Sequence, residues 1–233
     1  MVMPERLWDD IAVWLYGSAA RGNIDHLSDV DVLVITDHDV SRECLIPSLP
    51  KKYCYASVTN YKWSEIRGMA SYGSLFLWHL FLEGNVIFEA EKVSRSLGRI
   101  LHELPEYQYT DRDIVAFSHA ISDVYASQEG PLASHNFIFD ASVLATTLRH
   151  ASILGCWLLS EPTFSRYEPF YKCASYFGFD DRIYRSFPDL YRYKLAVDSR
   201  CGYDSLHNIN LEQWISIGSC FVMWLREVQN DGH

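Results

Sequence analysis

Two apolar runs, separated by a glycine-serine pair and two acidic residues, constrain the fold of this chain more than any other feature. They lie within residues 15–36, which read LYGSAARGNIDHLSDVDVLVIT, and Gly17 and Ser18 end the first run. Asp29 and Asp31 open the second run. Short, β-rich apolar runs bounded by turn residues are typical of buried strands. The segment therefore predicts two strands, with a turn after the first and an acid pair at the start of the second.

The two aspartates predict a metal site. Successive side chains on a strand alternate between faces, so carboxylates two residues apart point the same way, about 6.8 Å apart along the strand. Two anions held this close repel each other unless a cation lies between them. Mg²⁺ prefers oxygen ligands and shares them with substrate phosphates. We therefore expect Asp29 and Asp31 to bind Mg²⁺.

The glycine-serine pair predicts a phosphate-binding turn. Glycine lets the backbone approach a ligand closely, and a short helix starting at Ser18 would add free N–H groups. Arg21 supplies a planar cation whose donors suit phosphate oxygens. Together with the acid pair, the turn predicts a site for a nucleoside triphosphate with Mg²⁺. An ordinary turn followed by solvated aspartates is the alternative, but it does not explain why both acids share a face.

At these residues the chain resembles the nucleotidyltransferase superfamily, which includes DNA polymerase beta and the minimal nucleotidyltransferases. The family pattern is a Gly-Ser pair, a short spacer and Asp-x-Asp entering a strand. Additions common in the smaller bacterial members are an Arg-Gly pair and a serine before the first aspartate. In this chain the pattern and its additions fall on Gly17, Ser18, Arg21, Gly22, Ser28, Asp29 and Asp31.

The resemblance implies transfer of a nucleoside monophosphate to an acceptor hydroxyl, with pyrophosphate leaving and Mg²⁺ stabilising the attacking and leaving oxygens. It implies that Asp29 and Asp31 are catalytic and bind the metal. The residues that it assigns to the nucleotide are Gly17, Ser18, Arg21 and Ser28. We expect ATP as the nucleotide, and a hydroxyl of a small molecule or of a partner protein as the acceptor.

The chain departs from the family pattern where a third carboxylate is expected, on the strand after Asp-x-Asp. Residues 51–61, KKYCYASVTNY, contain no Asp or Glu. Their alternation places Ala56 and Val58 on an apolar face and leaves Ser57 as the expected occupant of that position. Glu65 is the nearest acid that could replace it. Two alternatives stay open: an active transferase, and a weakly active or inactive nucleotide-binding protein of the regulatory or antitoxin type.

The first part of the chain predicts a mixed sheet. Apolar segments bounded by turn residues predict strands at residues 11–16, 30–35, 53–59 and 86–89. Residues 62–82 have a mainly helical pattern that is interrupted around Gly73, and Glu83-Gly84-Asn85 predicts a turn. We expect residues 1–105 to form the nucleotidyltransferase core that the resemblance implies.

Residues 106–233 predict a helical bundle, so the whole chain is expected to be an α+β protein with two domains. Apolar periodicity and stop signals predict helices at 110–127, 137–159, 167–177, 183–197 and 211–228. With 233 residues, of which 48% are hydrophobic, the chain can bury two cores. The layout is similar to that of aminoglycoside nucleotidyltransferases, which implies a helical domain that closes over the nucleotide and helps to bind the acceptor.

Charge argues against a nucleic-acid partner. The net charge is −10, and residues 1–105 carry 10 basic against 14 acidic side chains. Residues 106–233 carry 10 against 16, so neither part has the basic surplus that binding a phosphate backbone requires. An acidic surface instead favours cationic small molecules or a protein partner. The aromatic content of 15% leaves room for a homodimer interface.

The N-terminus and the cysteines indicate a reduced, cytoplasmic setting. No apolar run reaches the roughly 18 residues that a membrane span needs, and the first ten residues contain acids where a signal peptide would be basic and apolar. We therefore expect a soluble cytoplasmic protein. Six cysteines are scattered without metal-ligand spacing, which predicts packed, reduced thiols.

Overall fold

The computed structural model describes residues 10–24, 27–38, 53, 55–89, 91–129, 133–178 and 180–231. The chain divides into two compact units, Met1–Gln108 and Tyr109–His233. The division lies three residues after the position expected from the sequence. The first unit combines strands with helices, whereas the second is helical, which confirms the predicted α+β class.

A four-stranded mixed sheet forms the centre of the first unit. Its strands are β1 (Ala12–Tyr16), β2 (Asp31–Ile35), β3 (Ser57–Tyr61) and β4 (Asn85–Glu89). Their order is β3-β2-β1-β4, with β1 antiparallel to both neighbours and β2 parallel to β3. This arrangement brings the end of β1 and the starts of β2 and β3 to the same edge of the sheet.

The helices of this unit are α1 (Gly17–Arg21), α2 (Trp63–Ala70), α3 (Leu75–Glu83) and α4 (Glu91–His102). The predicted interruption of the helical pattern is confirmed, because the chain turns between α2 and α3 at Gly73, whose φ is +67°. A Cβ atom there would lie 2.2 Å from the carbonyl oxygen of Pro105, so only glycine fits this turn.

Both faces of the sheet are buried, which explains why β1 and β2 read as continuous apolar runs. On one face Leu33 packs in a cluster with Ile66 of α2 and Leu77 of α3. On the opposite face Val13 and Val32 belong to a second cluster. Each such side chain stabilises the fold by about 1.5–3 kcal/mol relative to an exposed one. The two clusters therefore fix β1 and β2, whose ends carry the predicted site.

Strand β3 begins four residues later than the sequence predicted. Tyr53 and Ala56 form a turn in which the Ala56 amide donates to the Tyr53 carbonyl oxygen at 3.0 Å, and Tyr55 is 90% exposed. Pairing with β2 then sets the strand bounds, because β2 offers five residues and β3 pairs with all of them up to Tyr61. Alternation alone could not show where this pairing starts.

The second unit is built around one long helix. Its helices are α5 (Thr110–Gln128), α6 (Ala133–Leu158), α7 (Glu168–Phe177), α8 (Asp181–Val197) and α9 (Leu211–Asp231), with a 3-10 turn at Tyr203–Ser205. Helix α6 contacts each of the other four, and its Leu144, Leu148 and Leu154 are fully buried. Across the described residues, no helix combines the length and the apolar character that a membrane crossing requires.

Candidate nucleotide-binding site

Gly17 brings the turn after β1 against the carboxylate of Asp31. Tyr16 and Asp31 are paired positions on the antiparallel strands β1 and β2, so the residue after Tyr16 lies beside the start of β2. Gly17 is buried with φ at +69°, and a Cβ atom built on it would lie 2.7 Å from Asp31 Oδ2. A real Cβ atom does not approach another heavy atom this closely, so a larger residue at position 17 would require the carboxylate or the turn to shift.

Ser18 ties the predicted phosphate turn to the loop that carries Asp29. Helix α1 begins at Gly17, so Ser18 lies in its first turn, and Ser18 Oγ donates to the backbone oxygen of Asp29 at 3.4 Å. Strand β2 begins only at Asp31. Strand alternation therefore positions Asp31 alone, whereas the contact with Ser18 holds the backbone of Asp29.

Ser57 lies beside Asp31. The sequence pattern predicts Ser57 at the position where the family has its third carboxylate. The two residues are paired positions of the parallel strands β2 and β3, and the Ser57 amide donates to the Val30 carbonyl oxygen at 2.8 Å. Paired positions on parallel strands share a face of the sheet. Within the described ranges, no three acidic, histidine or cysteine side chains come together as a metal cluster.

Glu65 does not compensate for Ser57. It lies beyond Tyr61, and the strand from Ser57 to Tyr61 spans about 13 Å at 3.3 Å per residue. Glu65 Oε2 instead accepts a hydrogen bond from the Lys62 amide at 2.7 Å, which caps the start of α2. The carboxylate is therefore engaged at the end of β3 opposite to Asp31.

Tyr16 and Thr59 extend the polar part of the same sheet face, although the sequence pattern did not assign them to the site. Tyr16 Oη and Thr59 Oγ1 are 3.4 Å apart. Burial raises the pKa of the Tyr16 phenol; the hydrogen bond with Thr59 opposes this, and the charge of Asp31 adds to it. Tyr16 thus keeps its proton near Asp31. Strand alternation could have identified Tyr16, because it lies two residues after Trp14 and so on the same face of β1.

Arg21 is engaged by a neighbouring helix. Its Nη1 donates to Glu83 Oε2 of α3 at 2.5 Å, and both side chains are largely buried, at 19% and 18% exposed. Ser28 is half-buried and directly precedes Asp29. The structure thus brings together the Gly17-Ser18 turn and Asp31. Arg21 lies at the end of the same short helix and is bound to Glu83 of α3.

The comparison with protein families gives a match in the N-terminal part of the chain. Residues 5–104 match the family model for a nucleotidyltransferase domain. No curated protein matches the chain. The matched segment contains all four strands, the Gly17-Ser18 turn and the acid pair, which are the features that the sequence predicted. These findings support a nucleotidyltransferase domain over residues 5–104.

Proposed function

We propose that this chain is a Mg²⁺-dependent transferase that moves a nucleoside monophosphate from ATP to a hydroxyl of a small molecule or of a partner protein. The observation that carries the proposal is the contact between Gly17 and Asp31, in which a side chain at residue 17 would collide with the carboxylate. This contact places the start of a helix beside an acidic side chain. A triphosphate with its divalent ion needs both on one surface.

The donor set fits such a ligand. The first N–H groups of a helix have no partners within the helix, so the start of α1 at Gly17 and Ser18 can bind phosphate oxygens. Asp29 and Asp31 would hold Mg²⁺, which when bound neutralises negative charge on the triphosphate. Ser28 and Arg21 border the same turn and complete the proposed nucleotide-binding set, with Arg21 anchored by Glu83.

The chain's own residues act by positioning. In the proposed reaction the acceptor hydroxyl oxygen bonds to the α-phosphorus, the bond from that phosphorus to pyrophosphate breaks, and the hydroxyl proton is released to solvent. Most of the rate enhancement in phosphoryl transfer comes from orientation and charge stabilisation rather than from covalent chemistry by the protein. The net charge of −10 supports a small-molecule or protein acceptor rather than a nucleic acid.

Pyrophosphate release tests the proposal. Purified protein is incubated with ATP, Mg²⁺ and a panel of hydroxyl-bearing acceptors, including cationic amino alcohols and sugars. We expect release only with a suitable acceptor, and its loss in Asp29→Asn and Asp31→Asn. Asp10→Asn is the matched control, because Asp10 is exposed and lies at the opposite end of β1 from the site. Equal loss in all three variants would argue against a specific role for the acid pair.

A regulatory protein that binds nucleotide with little or no turnover is the second candidate, and Ser57 beside Asp31 favours it. A hydroxyl is a much weaker ligand for Mg²⁺ than a carboxylate. Asp31 and Ser57 would therefore bind Mg²⁺ less tightly than two carboxylates would. This candidate predicts a Mg²⁺-dependent thermal shift with ATP and no pyrophosphate release across the whole acceptor panel. A scaffold without a nucleotide site predicts no shift with any triphosphate.

A further inference from the structure

The turn between α3 and β4 holds the end of α1 by two separate contacts. Glu83 Oε2 accepts from Arg21 Nη1 at 2.5 Å, which fixes the last side chain of the helix. Asn85 Nδ2 donates to the backbone oxygen of Ala20 at 2.9 Å, which satisfies one of its last carbonyls. Residues 83–85 thus bind a side chain of α1, at Arg21, and its backbone, at Ala20. We call residues 83–85 the α1 clamp.

Helix α1 depends on such contacts because a helix this short is not stable on its own. It has five residues, whereas isolated helices shorter than about 12 residues are marginal in water. Its N-cap residue, Tyr16, makes no side-chain capping bond. At the other end Gly22, with φ at +75°, closes the helix, and the Asn23 amide donates to the Ser18 carbonyl oxygen at 3.0 Å. The contacts at the C-terminal end therefore act together with the bond from Ser18 to Asp29 in holding the helix in place.

The clamp is itself anchored within α3. His79 Nε2 lies 3.2 Å from Glu83 Oε2, one helical turn away. The His79 ring also meets the ring of Tyr16 edge to face, with centroids 6.0 Å apart. Because the Arg21–Glu83 pair is largely buried, removing the charge of Glu83 would leave a guanidinium without its compensating anion. Helix α3 therefore connects to both ends of the segment that carries Gly17 and Ser18.

Within the α1 clamp, the close packing around Gly84 leaves no room for a larger residue. A Cβ atom on Gly84 would lie 2.5 Å from the Leu80 carbonyl oxygen and 2.9 Å from Trp14 Cε3. The turn is thereby pressed against β1, the strand from which α1 emerges. This close packing limits how far Glu83 and Asn85 can move relative to α1.

We propose that the α1 clamp positions the Gly17-Ser18 turn for binding the triphosphate, so that Glu83 and Asn85 are positioning residues. Neither residue belongs to the proposed nucleotide-binding set; they act through Arg21 and Ala20. The identity of the ligand rests on the proposed function, whereas the mechanical role of the clamp rests on the contacts alone.

Two measurements on Glu83→Gln and Asn85→Ala test this proposal. The first is hydrogen exchange at residues 17–23, and the second is the affinity for ATP with Mg²⁺ by calorimetry. We expect exchange at 17–23 to accelerate about tenfold and the Kd for Mg·ATP to rise about tenfold, since each variant loses one anchoring bond. Glu103→Gln is the matched control, because it breaks the exposed i,i+4 pair with Arg99 in the same unit.

Each outcome decides a separate part of the proposal. Unchanged exchange at 17–23 in both variants would overturn the clamp, whatever the nucleotide does. Faster exchange with unchanged affinity would overturn its role in triphosphate binding. Failure of the unaltered protein to bind any triphosphate would overturn the proposed function, while the exchange result would still decide the clamp. Asn85 is exposed and uncharged, so Asn85→Ala leaves no buried charge without a partner. This variant therefore remains informative if Glu83→Gln unfolds the unit.

Discussion

Asp31 and Ser57 occupy paired positions on the parallel strands β2 and β3, so a carboxylate and a hydroxyl share one face of the sheet. The pair carries one negative charge where two acids would carry two. The proposed divalent ion would therefore rely on Asp31 together with Asp29 and the phosphates of its nucleotide. How tightly the site holds metal is the property that separates the catalytic candidate from the regulatory one.

Ser57→Asp should strengthen metal binding, because it places a second carboxylate beside Asp31. We expect the affinity for Mg²⁺, measured by calorimetry with a non-hydrolysable ATP analogue present, to rise about tenfold. Asn60→Asp is the control, since it adds the same charge to β3 on the opposite face of the strand. An equal gain in both variants would mean that overall charge, and not the paired position, sets the affinity.

Gly17→Ala should abolish nucleotide binding. The new Cβ atom would lie 2.7 Å from Asp31 Oδ2, so either the turn or the carboxylate must move. A φ of +69° also strains an L-residue, at a cost of about 1–2 kcal/mol. Thermal denaturation and an ATP titration with Mg²⁺ measure the two effects separately.

Gly22→Ala separates strain from collision. Gly22 has a similar φ of +75°, but a Cβ atom there meets nothing within 4 Å. We expect Gly22→Ala to lose a comparable free energy of unfolding while largely keeping its affinity for Mg·ATP. If both variants bound ATP equally well, the contact between Gly17 and Asp31 would have no part in the site.

The Glu83 carboxylate should make the stability of the first unit depend on pH below neutrality. Burial tends to raise the pKa of Glu83, but hydrogen bonds from His79 and Arg21 outweigh it and hold the pKa below its ordinary value of 4.5. A depressed folded-state pKa means that the stabilisation is present above the unfolded-state pKa and is lost as the pH falls through the folded-state pKa.

Unfolding free energies of the unaltered protein and of Glu83→Gln, measured between about pH 6 and about pH 3, check this sign. The difference between them should be largest near pH 6 and should shrink as the pH drops below 4.5. A difference that stayed constant over this range would show that Glu83 does not titrate with a depressed pKa.

Phe187→Ala should destabilise the helical unit strongly. Phe187 is fully buried and stacks on Phe170 with ring centroids 4.0 Å apart. Removing a buried phenyl ring costs about 3–5 kcal/mol. Phe139→Ala deletes a ring that is 62% exposed, so it should change the unfolding free energy by less than about 1 kcal/mol. Hydrogen exchange of α5 to α9 in urea measures both, and similar losses would contradict the packing at Phe187.

Local patterns predicted most of the secondary structure because its signals lie within each element. The sequence placed strands at 11–16 and 30–35, and the structure has Ala12–Tyr16 and Asp31–Ile35. The helix predicted over 211–228 is Leu211–Asp231. Its apolar residues repeat at helical spacing, and Asn210 Oδ1 accepts from the Gln213 amide at 3.0 Å at its start. Burial of one helix face and capping are both readable from neighbouring residues.

The contacts that position the candidate site could not be predicted in the same way. Arg21 and Glu83 are 62 residues apart in the chain, and Ala20 and Asn85 are 65 apart. Neither pair has a local signature, because each depends on how β4 joins the sheet beside β1. The start of β3 was missed for a related reason, since its register with β2 decides which residues pair.

Calorimetric titration of ATP, with and without Mg²⁺, into the unaltered protein and into Asp31→Asn tests the central claim most directly. If the acid pair and the Gly17-Ser18 turn form one site, ATP should bind the unaltered protein with Mg²⁺ at least about tenfold more tightly than without it. Asp31→Asn should abolish that difference. Binding of ATP that is independent of Mg²⁺ and unaffected by Asp31→Asn would contradict the account.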